Sequence, residues 1–262
     1  MGEAGRDPYD AWAAGEGVPA AEGACVDLLA QPTAPWPRFD CDGALIHLAG
    51  RGGLVAALLV DVGPGGACAP QRMLAEAVAW VLAGHGSTTT ATPDGRRNVE
   101  WGPGSLFALA RNSSWRHFNA SGRERARLAV VHDLPAMLNL FGDPAFVFDN
   151  PHGFPARAEA AARRHTMDAD FVADLARLAP AAGEDDGIRL ALGGGALQAQ
   201  LGPRPAGGHV FPIAGGGVTL TADGRRIDWR PGIVFADDRG ARHQPAGGTA
   251  RLLSVGLSFT AS

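Results

Sequence analysis

Glu100-Trp101-Gly102-Pro103-Gly104-Ser105-Leu106-Phe107-Ala108 returns later in the chain as Asp228-Trp229-Arg230-Pro231-Gly232-Ile233-Val234-Phe235-Ala236. The offset is 229 − 101 = 128. Upstream, Asp94-Gly95-Arg96-Arg97 lies over Asp223-Gly224-Arg225-Arg226 at 129, and Ala83-Gly84-His85-Gly86 over Ala214-Gly215-Gly216-Gly217 at 131. Downstream, Ala126-Arg127-Leu128 lies over Ala250-Arg251-Leu252 at 124. Small drifts around a fixed frame mark a duplicated unit, because loops absorb insertions that paired strands do not.

Within each copy, Asp-Gly-Arg-Arg, then an acidic residue and Trp, then Pro-Gly, reads as a hairpin, a strand and a tight corner. The segments 77–82, 105–109 and 126–131, and in the second copy 218–220, 233–236 and 250–255, are short, apolar and separated by turns. Thirty-seven Gly and nineteen Pro punctuate the rest. The pattern is that of an all-β barrel or sandwich, repeated.

Composition bounds the function. With 46% hydrophobic and 19% charged residues the chain is globular, and 262 residues suffice for two cores. The net charge is −4 and its arginines are scattered among acidic neighbours, which argues against a nucleic-acid partner. Cys25, Cys41 and Cys68 show no zinc spacing and read as reduced, buried thiols. No stretch approaches the ~20 apolar residues of a membrane helix, so the expected location is the cytoplasm. Between the copies, 156–165 and 169–178 read as helices, with Phe171, Leu175 and Leu178 at helical spacing, and 184–187 as an exposed acidic turn. The division expected is 1–150, with a barrel over about 45–135, and 151–262, with linker helices and a second barrel over about 186–260.

Gly66, Glu76, Gly84, Pro103, Gly104 and His117-Phe118-Asn119-Ala120-Ser121 resemble the frame of the cupin superfamily, and the duplication resembles its two-domain bicupins. The resemblance implies two jelly-roll β-barrels. Cupin enzymes hold a metal on two histidines and a glutamate of a first motif and one histidine of a second. Counted back from Gly84, the histidine positions hold Gln71 and Met73, the glutamate position Ala77, and the second-motif position, four before Asn119, Trp115. The same frame in copy two gives Gly202 and Arg204, then His209 at or beside the glutamate position, and His243 last. If Gly216 closes the motif His209 is in register; if Gly215 does, it points to the opposite face, and Pro212 would mark a bulge. Thioether, amide, methyl and indole groups cannot replace imidazoles and a carboxylate, so neither a metal nor another cofactor is expected.

His209 and His243 would then form an acid/base pair, with Arg204 holding a carboxylate or oxyanion; the plainer reading is inherited histidines bonded to their neighbours. Gln71, Met73, Trp115 and His117 would line a small-molecule site in copy one, or plug the space of a lost metal centre. Asp237 and Asp238 read as a solvated loop, with Asp237 the one able to reach the cavity. Trp101 and Trp229 read as core. The expected function is a metal-independent enzyme acting on a small, mostly apolar molecule by cyclisation, isomerisation or a lyase-type step. The alternatives are an Fe, Mn or Ni dioxygenase and a non-catalytic ligand-binding protein. A homodimer is compatible with the fold.

Overall fold

The computed structural model describes residues 7–49, 54–92, 95–154, 171–178, 188–190, 197–203, 208–237, 241–247 and 250–257. The structure is all-β, with short helices at Pro8–Gly15, Leu134–Phe141 and Pro144–Phe148. In the first copy the strands Ala20–Gly23, Cys41–Leu48, Ala56–Val62, Ala126–His132, Ala77–Ala83 and Leu106–Leu109 lie side by side. A second sheet runs Gln71–Arg72, Ser114–Asn119, Gly86–Thr92, Gly95–Trp101. The second copy repeats this with Leu197–Gly202, Arg251–Leu257, Gly208–Ala214 and Ile233–Asp237 in one sheet, and Arg226–Trp229, Gly217–Leu220 and Arg242–Pro245 in the other.

The Pro-Gly corners are type II turns. Ser105 N–H donates to Gly102 O and Ile233 N–H to Arg230 O, with Gly104 and Gly232 at φ +87° and +92°. That left-handed conformation is why glycine follows proline at both sites. Gly86 and Gly217 serve a different purpose: a β-carbon on either would overlap the indole of Trp101 or Trp229, which lies across it.

Each copy lends a strand to the other. Cys25–Asp27, ahead of the first barrel, pairs with Ile233–Asp237 of the second. Phe171–Val172, ahead of the second, pairs with Leu106–Leu109 of the first. The two receiving strands occupy the same repeat position, so both exposed sheet edges are covered by one reciprocal device. This overturns the helical reading of the second linker segment, because its described part, 171–178, is a strand and a turn. The apolar spacing of Phe171, Leu175 and Leu178 arises from packing against the barrels, not from a helix. Residues 156–165 and 184–187 lie outside the described residues.

Alternation along the strands divides the apolar residues between interior and interface. Ala77, Ala79 and Val81 enter the first barrel, while Val78 and Trp80 join a core that includes Phe211, Leu253 and Val255 of the second copy. Trp80 and Phe211 meet edge to face, their centroids 5.3 Å apart. Polar ties reinforce this interface. Buried Glu76 accepts from Leu197 N–H at 3.2 Å and is held by Arg111, which also binds Asp133 at 2.6 Å. Cys68 is buried and Cys41 half-buried, but Cys25 is exposed, contrary to the reading of three buried thiols.

Candidate functional site

Strand register fixes which residues of the two copies are equivalent. Gly86 pairs with both Trp101 and Asn119, and Gly217 with both Trp229 and Pro245. Thr88 therefore matches Thr219. Because Thr88 lies opposite His117 and Thr219 opposite His243, His243 matches His117, not Trp115. The residue equivalent to Trp115 is Ala241. The sequence frame was two residues out here because this hairpin differs in length between copies.

Gly84 and Gly215 both adopt left-handed φ, +83° and +78°, so Gly215 closes the first motif. Val78 then matches His209, and both lie opposite an alanine of the next strand, Ala108 and Ala236. His209 shares its face with its cross-strand neighbours Ala236 and Val255, both in the core between the barrels. It is fully buried there, close enough to His132 to depress that residue's pKa. His209 and His243 do not converge: His209 faces the core between the barrels, and His243 lies beside Phe235 in the second. The bulge does fall beside Pro212, between Pro212 and Ala214, but it lies beyond His209 and leaves its face unchanged.

Gly202 is not at a ligand position either. It pairs with Leu252 as Val60 pairs with Leu128. The offset is 202 − 60 = 142 before the motif and 208 − 77 = 131 after it, so copy two is eleven residues shorter across this loop. The segment that carries Gln71 and Met73 in copy one has no counterpart. Arg204 lies outside the described residues.

The first barrel is packed. Met73, Trp115 and His117 are enclosed in its core, with the Trp115 and His117 rings 4.6 Å apart. Gln71 spends its amide on the carbonyls of Arg38 and Ala69 at 2.8 and 3.2 Å. Trp101 Nε1–H donates to Thr88 Oγ1, which lies 2.7 Å from His117 Nδ1. Burial pushes the His117 pKa down to about 3, so the ring stays neutral near pH 7.

The second barrel keeps the Thr–His contact and extends it. Thr219 Oγ1 is 2.8 Å from His243 Nδ1, and His243 Nε2 is 3.0 Å from Asp237 Oδ1. Both His243 and Asp237 side chains are 13% exposed. Since the carboxylate can only accept, Nε2 carries the proton and Thr219 donates to Nδ1. Asp237 is not the solvated loop residue that the sequence suggests. Instead it continues the inward row Ile233, Phe235, Asp237 at the end of its strand, and its period-two spacing from Phe235 was the signal to follow.

The contrast extends along the wall. Asp237 matches Leu109, Gln200 matches Leu58, and Ser254 matches Val130. Three buried apolar positions of the first barrel thus become a carboxylate, an amide and a hydroxyl in the second. Desolvating such groups is costly unless they are bonded, so their concentration on one inner wall makes the second interior polar where the first is apolar.

No protein-family model and no curated protein matches the chain. Solved structures do. Vicilin of Corylus avellana (hazelnut) is similar at TM-score 0.54 and 10% identity, over 89% of this chain and 85% of that one. Ylba of E. coli is similar at 0.52 and 14%, over 88% and 85%. Oxalate decarboxylase of Bacillus subtilis, whose Mn(II) centres have been studied, is similar at 0.54 and 13%, over 92% and 79%. The chain has the cupin fold, with all-β jelly-roll architecture. Among the described residues no helix is long and apolar enough to cross a membrane.

A metal of that kind does not suit the donors present. The frame positions hold Gln71, Met73, Ala77 and Trp115 in copy one. In copy two they hold Gly208 and Ala241, with the first pair lost to the shortened loop. Among the described residues no three His, Cys, Asp or Glu are grouped as ligands.

Proposed function

We propose that the chain is a metal-independent enzyme whose second barrel binds a small organic molecule and moves a proton on it, in a cyclase, isomerase or lyase-type step. The observation that carries this reading is the Thr219–His243–Asp237 chain, set on an inner wall that the other copy fills with leucine and valine. Histidine and carboxylate side chains are the usual acid/base groups near neutral pH. Asp237, oriented by the Nε2–H of His243, takes a proton from a substrate carbon, and the imidazole between it and Thr219 stabilises each protonation state in turn. Return of the proton at a neighbouring atom isomerises the substrate. Departure of a neighbouring leaving group with that proton is elimination, and attack by a group of the same molecule closes a ring. Arg204, proposed from the sequence alone, supplies a cation for a carboxylate or developing oxyanion. Gln200 and Ser254 add polar contacts, so the substrate carries more polar groups than the mostly apolar molecule expected from sequence.

The test uses deuterium oxide. The purified chain is incubated with a panel of small carbonyl and carboxylate compounds, and deuterium at carbon is read by mass spectrometry. The expected result is incorporation into at least one compound, lost about 100-fold or more in Asp237→Asn and His243→Ala. Incorporation that persists in both folded variants rejects the assignment. So does its absence from every compound with the wild-type chain.

A further inference from the structure

A cleft lies on the first copy, lined by elements separate from the Thr219–His243–Asp237 chain of the second. It encloses about 730 Å³ between the end of helix Pro8–Gly15, the 37–38 loop, Arg72, Ser114 and the end of helix Pro144–Phe148. Two of its charges cancel internally: Glu16 receives Arg38 Nη2 at 2.7 Å and Nε at 2.9 Å, and also Trp36 Nε1 at 2.6 Å. The other two do not. Arg72 makes one long contact, Nη1 to Asn150 O at 3.4 Å, and no ion pair among the described residues. Asp149 on the same lining has no side-chain partner among them, and neither has the half-buried Ser114 hydroxyl. One arginine and one aspartate therefore line a shared space without pairing with each other.

A simple anion entering this cleft meets Asp149 and a simple cation meets Arg72, each with a repulsive neighbour. A dipolar ligand satisfies both. Arginine's planar fork is suited to a carboxylate, and an aspartate accepts from an ammonium group. The walls of Pro37, Pro70 and Phe148 are apolar enough for a short side chain. We infer that this cleft binds a small zwitterion of the α-amino-acid class, its carboxylate on Arg72 and Ser114 and its ammonium on Asp149.

The full-length chain is titrated by calorimetry with a panel of free α-amino acids, with acetate and methylammonium alongside. Saturable binding of one or more amino acids is expected, about tenfold or more tighter than either half-ligand. Arg72→Gln and Asp149→Asn, both at exposed positions, should each weaken it about tenfold with unchanged melting temperature. Acetate binding as tightly as the best amino acid, with Asp149→Asn silent, would overturn the inference in favour of an anion site. No saturable binding of any amino acid would also overturn it.

Discussion

The two barrels share a backbone and differ in what they point inward. At equivalent places the first has Leu58, Val130 and Leu109, and the second Gln200, Ser254 and Asp237. The Thr–His contact is common to both, 2.7 Å in one and 2.8 Å in the other. In the first barrel the histidine is walled in by Trp115 and Phe107. In the second it gains a carboxylate. The first barrel is thus closely packed inside, while the second is shorter by eleven residues between the equivalents of Val60 and Ala77 and has a polar wall.

The largest effect is expected from forcing the first barrel to resemble the second. Leu109→Asp places a carboxylate where Leu109 is 2% exposed, giving up apolar burial and desolvating a charge. Chemical denaturation should show a loss of about 3–5 kcal/mol. A near-neutral result would mean that the first interior is as tolerant of polarity as the second.

A smaller effect comes from pH. Burial holds both His117 and His132 at about 3, with His209 and His47 adding to the depression at His132. Their folded pKa values lie below the unfolded value, so the folded state disfavours protonation. The stability each contributes is complete above about pH 6.5 and is lost as pH falls from there toward 3. Each should add about 1.4 kcal/mol per pH unit to the slope between roughly pH 6 and 4. His117→Gln should remove one such increment, and an unchanged slope would show that this ring is not held neutral.

The smallest change in stability is expected at the second barrel. Asp237→Leu copies the first barrel's residue into a partly exposed position and should shift stability by only about 1 kcal/mol either way. Deuterium exchange should nevertheless be abolished. A large destabilisation would make Asp237 a structural group.

The duplication was legible because Trp101 and Trp229, the Pro-Gly corners and the glycines beneath the indoles are backbone requirements, and such requirements leave residues at fixed spacing. What escaped was register. His209 differs from an inward residue by one position, which in a strand reverses the face, and only the φ of Gly215 shows which glycine closes the motif. His243 was set two places off because its hairpin is shortened. Asp237 looked solvated beside Asp238, since sequence does not show where a strand stops and a loop begins. The reciprocal strands were invisible because a two- or three-residue segment has too little pattern to announce a partner more than sixty residues away.

The most direct test is a crystal structure with the compound that exchanges deuterium. Density inside the second barrel, within hydrogen-bonding distance of Asp237 or His243 and bordered by Gln200 or Ser254, is the predicted result. Density inside the first barrel that displaces Met73 or Trp115, or a divalent ion coordinated by His243, would contradict it.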